Sequence, residues 1–306
     1  MNQELRKDAK QIIDEAIASV QPDAAVRRAL SNIVFSEHVY IVAIGKAGWQ
    51  MANAAVSYLQ ENGIKYEKGI VITKYHHVMG QLPRIHCVEA GHPVPDENSF
   101  KGTQEVLSMV KDLTEEDMVL FLVSGGGSAL FEKPRISKKE LSDITEQLLA
   151  SGADIVEMNT IRKRLSEVKG GRFALACMPA MVETVVLSDI VGDPMDMIAS
   201  GPAYPDASTC EDAGKIAKKY KLRLSAAAEK CLADETPKEL HNVHTQIIGS
   251  VRQLCKAAQK ACKELGYEPR ILAEDVTAEA REVGWNLAQL CLREHDDAGE
   301  KKMALI

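Results

Sequence analysis

The feature that most constrains this chain is an apolar segment that runs directly into a cluster of glycines and serines. Residues 118–123 are all apolar, which is typical of a strand buried on both faces of a parallel sheet. The segment is followed by Ser124, Gly125, Gly126, Gly127 and Ser128. Glycines place no Cβ atoms between the backbone and a ligand, so several N–H groups can converge on one anion. Because ligands of open α/β sheets bind beyond the carboxyl ends of the strands, this loop is predicted to bind phosphate. The alternative is a tight turn that needs glycine for geometry alone.

Short apolar runs alternate with segments of helical periodicity along the rest of the chain. Strands are predicted at 39–44, 69–73, 85–89, 118–123, 184–187, 245–248, 270–273 and from 302 onward. Helices are predicted at 2–20, from Pro22 onward, and at 49–59, 99–111, 137–151, 154–168, 210–220, 226–233, 251–265 and 277–293. This alternation predicts an α/β fold of the Rossmann-like kind, with a mostly parallel sheet and helices on both faces.

The pattern of elements is interrupted once, at Thr236-Pro237. We therefore predict two domains, an α/β domain over 1–236 and the beginning of a second α/β domain over 237–306. The chain ends at Met303–Ile306, inside a predicted strand, so the second domain is expected to be incomplete.

Composition restricts the partners and the compartment. The net charge of -7 argues against non-specific nucleic-acid binding, and no apolar run approaches the ~20 residues of a membrane span. The seven cysteines are scattered and form no Cys-x-x-Cys pair, which favours a reducing cytoplasm over a disulfide framework or a zinc site. A homodimer is left open.

A lysine follows the first predicted strand, within Gly45-Lys46-Ala47-Gly48. At a strand end, Lys46 can meet phosphate or carboxylate oxygens as a point charge, although a solvated surface lysine is the simpler alternative. A dinucleotide fingerprint would need a third glycine here and an acidic residue at the end of the next strand. That strand ends at Thr73-Lys74, so NAD binding is disfavoured.

A basic segment follows the glycine loop at 159–172 and stands out in an acidic chain. Helical spacing places Ile161, Leu165 and Val168 toward the core. A second face would then carry Asn159, Arg162, Ser166 and Lys169. These side chains suit a polyanionic ligand, and the alternative is an ordinary solvated basic face.

Two further stretches contribute candidate site residues. Asp189 and Asp193 follow a predicted strand, where a carboxylate can hold Mg²⁺ or accept a proton from a hydroxyl; structural capping is the alternative. Because Asp193 precedes a proline, as turn residues often do, Asp189 is the stronger candidate. Ser200-Gly201-Pro202 is predicted to be a turn that could offer backbone N–H groups, although spacing alone favours a plain turn.

Taken together, these stretches resemble the motifs of the glycerate 2-kinase family that carries the MOFRL segment, whose members are also labelled hydroxypyruvate reductase. The resemblance rests on an ordered set of motifs: Gly45-Lys46-Ala47, Gly91–Asp96, Ser124–Leu130, Asn159-x-x-Arg162-x-x-Leu-Ser166, Lys169–Arg172, Ser188-Asp189, Gly192-Asp193 and Ile198–Pro202. It implies transfer of the γ-phosphate of ATP to the 2-hydroxyl of D-glycerate, with Mg²⁺. Lys46 and Asp189 would then act in catalysis, Ser124 to Ser128 on phosphate, Asn159, Arg162, Ser166 and Lys169 on substrate, and Asp189 with Asp193 on the metal.

The same resemblance implies that the family continues past residue 306 into the MOFRL segment, so low kinase activity is expected of this chain. Two other functions stay open at this stage. One is a nicotinamide-dependent hydroxypyruvate reductase, which the missing fingerprint disfavours. The other is a phosphosugar-binding module without catalysis, because a glycine- and serine-rich loop also suits sugar phosphates.

Overall fold

The structure is a computed structural model that describes residues 3–188, 192, 194–297 and 302–306. Within these residues the strands are β1 (His38–Ile44), β2 (Lys68–Lys74), β3 (Ile85–Ala90), β4 (Asp117–Ser124), β5 (Met181–Leu187), β6 (Val243–Gly249), β7 (Glu268–Arg270) and β8 (Met303–Leu305). The helices are α1 (Gln3–Ser19), α2 (Pro22–Leu30), α3 (Gly48–Glu61), α4 (Glu97–Val110), α5 (Gly127–Leu130), α6 (Lys138–Ala150), α7 (Ile155–Arg164), α8 (Arg172–Cys177), α9 (Cys210–Lys219), α10 (Ala226–Ala233), α11 (Val251–Glu264) and α12 (Ala280–Asp297). A short 3₁₀ helix spans Ile198–Ser200.

Six of these strands form one parallel sheet in the order β3-β2-β1-β4-β5-β6, and β7 pairs with β8 in a separate parallel ribbon. The order of the large sheet reverses between β1 and β4. In doubly wound folds the ligand crevice opens at this reversal, beyond the carboxyl ends of the strands. The predicted α/β fold is confirmed.

The two faces of the sheet are covered by different helices because side chains alternate along each strand. On β1, Ile41 and Ala43 belong to a core that includes residues of α2 and α3. Val42 and Ile44 point the other way, into a core that includes α4 and α8. Every residue of β4 is buried, as expected of a central parallel strand.

A third apolar cluster is made mainly of helices and, among the described residues, contains no strand residue. Residues of α6, α7, α9 and α10 pack together in it, with Ile144, Leu148 and Ile161 almost completely buried. This cluster anchors α7, which carries several candidate site residues.

The main sheet extends across the domain boundary predicted at residue 236. Strand β6 pairs with β5 over Val182↔Val243 and the following residues, so the sheet is complete only at Gly249. The strand predicted at 245–248, within the second predicted domain, therefore belongs to the first sheet, and the division into two domains stays a prediction.

The helix predicted over 154–168 is shorter than the sequence indicated. Asp154 caps it at its start, and it ends at Arg164 because the next residues pair with residues 133–135. The N–H of Arg135 bonds to the Leu165 carbonyl over 2.9 Å, and the N–H of Glu167 bonds to the Lys133 carbonyl over 2.8 Å. Asn159, Arg162, Ser166 and Lys169 therefore do not share one helix face. Among the described residues, no helix is long and apolar enough to cross a membrane.

Candidate functional site

The carboxyl ends of β1 and β4 are joined directly at the reversal of strand order. Lys46 donates its backbone N–H to the Gly125 carbonyl over 2.8 Å. Gly45 adopts φ 106°, and a Cβ atom there would lie 2.3 Å from the Ser124 carbonyl oxygen. Only glycine fits such a close approach of two strand ends. The predicted lysine and glycine loops thus form one site.

Ser124 serves this junction with its side chain. Its buried hydroxyl donates to the Ile44 carbonyl over 3.1 Å and accepts from the Ala47 N–H over 3.0 Å. A hydroxyl has a single hydrogen, and this one is committed within the protein. The hydroxyl therefore ties the two loops together instead of donating to a phosphate.

Gly126 lies at the centre of the site and has φ 86°. A Cβ atom at this position would lie 2.9 Å from the imidazole Cδ2 and Nε2 of His92 and 3.2 Å from Cγ of Lys46. The Lys46 side chain is exposed. The backbone carbonyl of Lys46 lies 2.8 Å from Nδ1 of His77. The side chains of Lys46 and His92 therefore flank the glycine loop.

The rest of the loop opens the short helix α5. Gly127 packs against the 3₁₀ helix, where an added Cβ would lie 2.6 Å from the Ala199 Cβ. The N–H groups of Gly127 and Ser128 are the first of α5, and a helix cannot pair its first N–H groups internally. Backbone N–H groups at such a position can bind an anion.

Arg162 and Asn159 are brought to this loop by α7. The half-buried Arg162 guanidinium donates to the Ser128 carbonyl over 3.3 Å. Asn159 is buried, and its Oδ1 accepts from the Ser200 hydroxyl over 3.0 Å. The structure thus groups two of the four predicted substrate-binding side chains with the glycine loop.

The other two predicted substrate-binding side chains, Ser166 and Lys169, are completely buried. Lys169 forms an ion pair of 2.9 Å with the buried Glu132 and donates to the Phe131 carbonyl over 2.9 Å. Burial, partly offset by Glu132 and reinforced by the nearby Arg162, lowers the pKa of Lys169 to about 8. In this arrangement Lys169 stabilises the layer behind the loop, and it presents no ammonium group to solvent.

Two other cations of the basic segment are also internal. Lys163 lies 3.0 Å from the buried Asp206 and 3.1 Å from Asp196, and Arg164 lies 2.8 Å from Glu235. Lys163 is the largest charge influence on Asp206 and helps to hold the pKa of that carboxyl below its usual range against the effect of burial. The excess of basic residues in this segment therefore reflects mostly internal ion pairs.

The predicted metal and base residues Asp189 and Asp193 lie outside the described residues. Among the residues that are described, no group of three His, Cys, Asp or Glu side chains is placed to hold a metal ion. Ser200 and Gly201 use their N–H groups within the 3₁₀ turn, on the Met197 and Ile198 carbonyls, so this segment is the plain turn that spacing favoured and does not offer these N–H groups to a ligand.

A cavity of about 350 Å³ opens beside Lys46, at the ends of β1, β4, β5 and β6. Its polar wall includes Lys46, Gly125 and Ser250, the N-cap of α11. Its apolar wall is formed by Val20, Leu187, Val251 and Leu254. A ligand with one charged and one apolar end matches these two walls.

The sequence interpretation assigned no role to His92 or Glu132. His92 belongs to the Gly91–Asp96 motif, so its presence among the ordered motifs was a usable signal. Glu132 gave no signal, because its pairing with Lys169 depends on the turn that follows α7.

Most of this chain is similar in sequence to known proteins. Residues 8–233 match the family described as "Domain of unknown function (DUF4147)". The chain is 47% identical over 288 residues to D-glycerate 2-kinase of Thermotoga maritima, covering 94% of this chain and 68% of that protein. It is 35% identical over 304 residues to glycerate 2-kinase of Pyrococcus horikoshii, covering 92% and 68%.

The fold agrees with a solved structure over nearly its whole length. The crystal structure of glycerate kinase from Thermotoga maritima matches with a TM-score of 0.94 and 44% identity, covering 99% of this chain and 73% of that one. Fold and site together define a doubly wound α/β protein with a glycine-rich loop at the reversal of strand order. The chain belongs to the glycerate 2-kinase family.

Proposed function

We propose that this chain transfers the γ-phosphoryl group of ATP to the 2-hydroxyl of D-glycerate. The observation that carries the proposal is the junction of Lys46 with Gly125, which brings an exposed lysine beside a glycine loop at the ligand crevice. Relatives named as glycerate 2-kinases share up to 47% of the sequence over most of the chain. This support comes from two independent directions, the local geometry and the family.

Phosphoryl transfer depends mainly on positioning and on stabilising charge as it develops on the transferring group. In the proposed mechanism, Lys46 neutralises charge on the transferring phosphoryl group. The N–H groups of Gly127 and Ser128 bind phosphate oxygens, and Arg162 adds positive charge beside Ser128. The cavity next to Lys46 offers an apolar wall to the adenosine end of the nucleotide.

Asp189 keeps its proposed role as proton acceptor or metal ligand, with Asp193 as a second ligand. Proteins commonly bind Mg²⁺ through one or two carboxylates together with substrate phosphates, so ATP itself would supply much of the coordination. When bound, Mg²⁺ neutralises charge on the phosphates. The cytoplasm remains the proposed compartment.

The order of the main sheet is also that of dinucleotide-binding proteins, so a reductase deserves a direct comparison. The loop after β1 has no third glycine where the dinucleotide fingerprint needs one, and β2 ends at Lys74 where an acidic residue would bind the ribose. These two positions favour the kinase.

Two parallel reactions, together with a measurement of ligand binding, separate the three functions. Purified protein is incubated with D-glycerate, ATP and Mg²⁺, and separately with hydroxypyruvate and NADH or NADPH. Formation of ADP that depends on D-glycerate supports the kinase. Oxidation of the nicotinamide cofactor without ADP formation would instead establish the reductase, and ligand binding without either reaction would establish a binding module.

A further inference from the structure

A chain of hydroxyl groups connects the buried interior with the glycine loop. The Ser200 hydroxyl donates to Oδ1 of Asn159 over 3.0 Å, and its oxygen lies 2.9 Å from the Ser128 hydroxyl oxygen. Ser200 is 0% exposed and Asn159 is 3% exposed, whereas Ser128 is half-buried. Among these three hydrogen-bonded side chains, Ser128 is therefore the one that a ligand can reach.

The direction of the chain is set at its inner end by Met197. The Asn159 amide nitrogen donates to the Met197 thioether sulfur over 3.3 Å. A thioether can accept a hydrogen bond but has no hydrogen to donate, so the amide places its nitrogen toward Met197 and its oxygen toward Ser200. Ser200 then donates its only hydrogen to Asn159, and the bond between the two serines must use the hydrogen of Ser128.

The backbone around Ser200 is held in an unusual conformation. Ala199 and Ser200 have φ values of 52° and 61°, a region that residues other than glycine seldom adopt. The Ser200 carbonyl accepts the Gly170 N–H over 3.0 Å, and its own N–H bonds to Met197. Such conformations persist where the surroundings enforce them, and they cluster at functional sites. The position of the Ser200 hydroxyl is therefore fixed from both sides.

We propose that Ser200 is a positioning residue, which directs the lone pairs of Ser128 toward the 3-hydroxyl of D-glycerate. This inference rests on the proposed function, which supplies the substrate. With its hydrogen committed to Ser200, Ser128 offers only acceptor capacity, and ionised carboxylate and phosphate groups have no hydrogen to donate to it. The 2-hydroxyl of D-glycerate loses its proton during transfer. Among the groups of this substrate, the 3-hydroxyl is therefore the remaining donor.

The test compares D-glycerate with D-lactate, which has the same carboxylate and 2-hydroxyl but lacks the 3-hydroxyl. Isothermal titration calorimetry gives the dissociation constant of each acid for wild type, Ser128→Ala, Ser200→Ala, Ser200→Gly and the double variant Ser128→Ala/Ser200→Ala. The dissociation constant of wild type should be about tenfold or more lower for D-glycerate than for D-lactate. D-lactate lacks the donor of one hydrogen bond and leaves the Ser128 hydroxyl oxygen unpaired. Ser128→Ala should abolish this preference, and both Ser200 variants should reduce it.

Two features of the result distinguish positioning from a general structural effect. The double variant should bind D-glycerate no more weakly than Ser128→Ala does, because Ser200 acts through Ser128. Ser200→Gly relieves the positive φ and should therefore be no less stable than Ser200→Ala, while it loses the same preference. Thr160→Val removes a neighbouring buried hydroxyl that bonds to the Val156 carbonyl, and it should leave the preference unchanged.

Equal binding of the two acids by wild type would overturn the inference, as would additive losses in the double variant. Calorimetry needs no turnover, so this outcome is separate from the fate of the proposed function. A protein that shows the expected preference but forms no ADP from ATP and D-glycerate would refute the kinase and retain the role of Ser200. Failure of wild type to bind D-glycerate would overturn the role of Ser200 as stated.

Discussion

The backbone N–H of Lys46 bonds to the carbonyl of Gly125 over 2.8 Å and so joins the loops that follow two adjacent strands. Through this bond, the cation predicted from one motif and the anion-binding loop predicted from another become one site. The bond is made by the backbone, so the Lys46 side chain can be replaced without breaking it. That separation allows its charge to be tested directly.

Replacing Lys46 with alanine should lower kcat for phosphoryl transfer by ~10²-fold or more, since one electrostatic contact to the transferring group is lost. The melting temperature should change little because the Lys46 side chain is exposed. Lys68→Ala is the matched control. Lys68 is an exposed lysine that begins β2, at the amino ends of the strands and away from the site. A Lys46→Ala enzyme with nearly normal kcat would remove Lys46 from the mechanism.

Gly126→Ala should weaken ATP binding, because the new Cβ would crowd the His92 ring and the Lys46 side chain. Gly152→Ala provides the comparison, since Gly152 has a similar positive φ of 71° but nothing within 4 Å of an added Cβ. Both variants should lose about 1–2 kcal/mol of stability from backbone strain. Only Gly126→Ala should raise the dissociation constant for ATP, and an equal rise in both would show that strain alone is responsible.

Lys169→Met should destabilise the protein by about 3–5 kcal/mol, because it leaves the Glu132 carboxylate buried without its partner. The double variant Glu132→Leu/Lys169→Met should recover most of that loss in chemical denaturation. Lys138→Met is the control: it breaks an exposed pair with Glu97 and should change the free energy of unfolding by less than about 1 kcal/mol.

The same double variant tests whether Lys169 acts on the substrate. If its role is to stabilise the layer behind the loop, D-glycerate affinity should return together with stability. A stable double variant that no longer binds D-glycerate would restore Lys169 as a substrate-binding residue.

Acid should selectively weaken the contact that Glu157 of α7 makes with Lys219 and Tyr220 at the end of α9. Bonds from Lys219 and Tyr220 lower the pKa of Glu157 from 4.5 to about 2. A carboxyl whose pKa is lower in the folded state stabilises the fold above its unfolded pKa, and this contribution is lost as the pH falls through the folded value. The difference in melting temperature between wild type and Glu157→Gln should therefore be largest above pH 4.5 and should shrink toward pH 2.

Glu211→Gln, which removes an exposed pair with Lys215, is the control for the acid titration. It should lower the melting temperature much less than Glu157→Gln at neutral pH. A constant difference in melting temperature between wild type and Glu157→Gln from pH 6 to pH 2 would contradict the stabilising effect of the ionised Glu157.

Local sequence patterns predicted the six strands of the main sheet and the position of the glycine loop well, whereas the strand predicted at 270–273 lies at Glu268–Arg270. The apolar run of β4 and the three glycines after it depend on local backbone geometry, which neighbouring residues determine. Lys46 was likewise identified because it directly follows a strand. Features of this kind are encoded within a few residues.

The basic segment was harder because its structure depends on distant partners. Helical periodicity placed Ile161, Leu165 and Val168 in the core correctly, and all three are 0% exposed. The helix nevertheless ends at Arg164, because the following residues pair with 133–135. The partners of Lys163 and Lys169 come from other segments, so spacing alone could not show that these cations are internal.

The central claim is best tested by phosphorus NMR of the product formed from D-glycerate, ATP and Mg²⁺. Phosphate on the 2-oxygen couples to a single carbon-bound proton and gives a doublet, whereas phosphate on the 3-oxygen couples to two protons and gives a triplet. We expect a doublet that grows with time and is nearly absent with Lys46→Ala. A triplet, or no phosphorylated product from the wild-type protein, would contradict the proposed function.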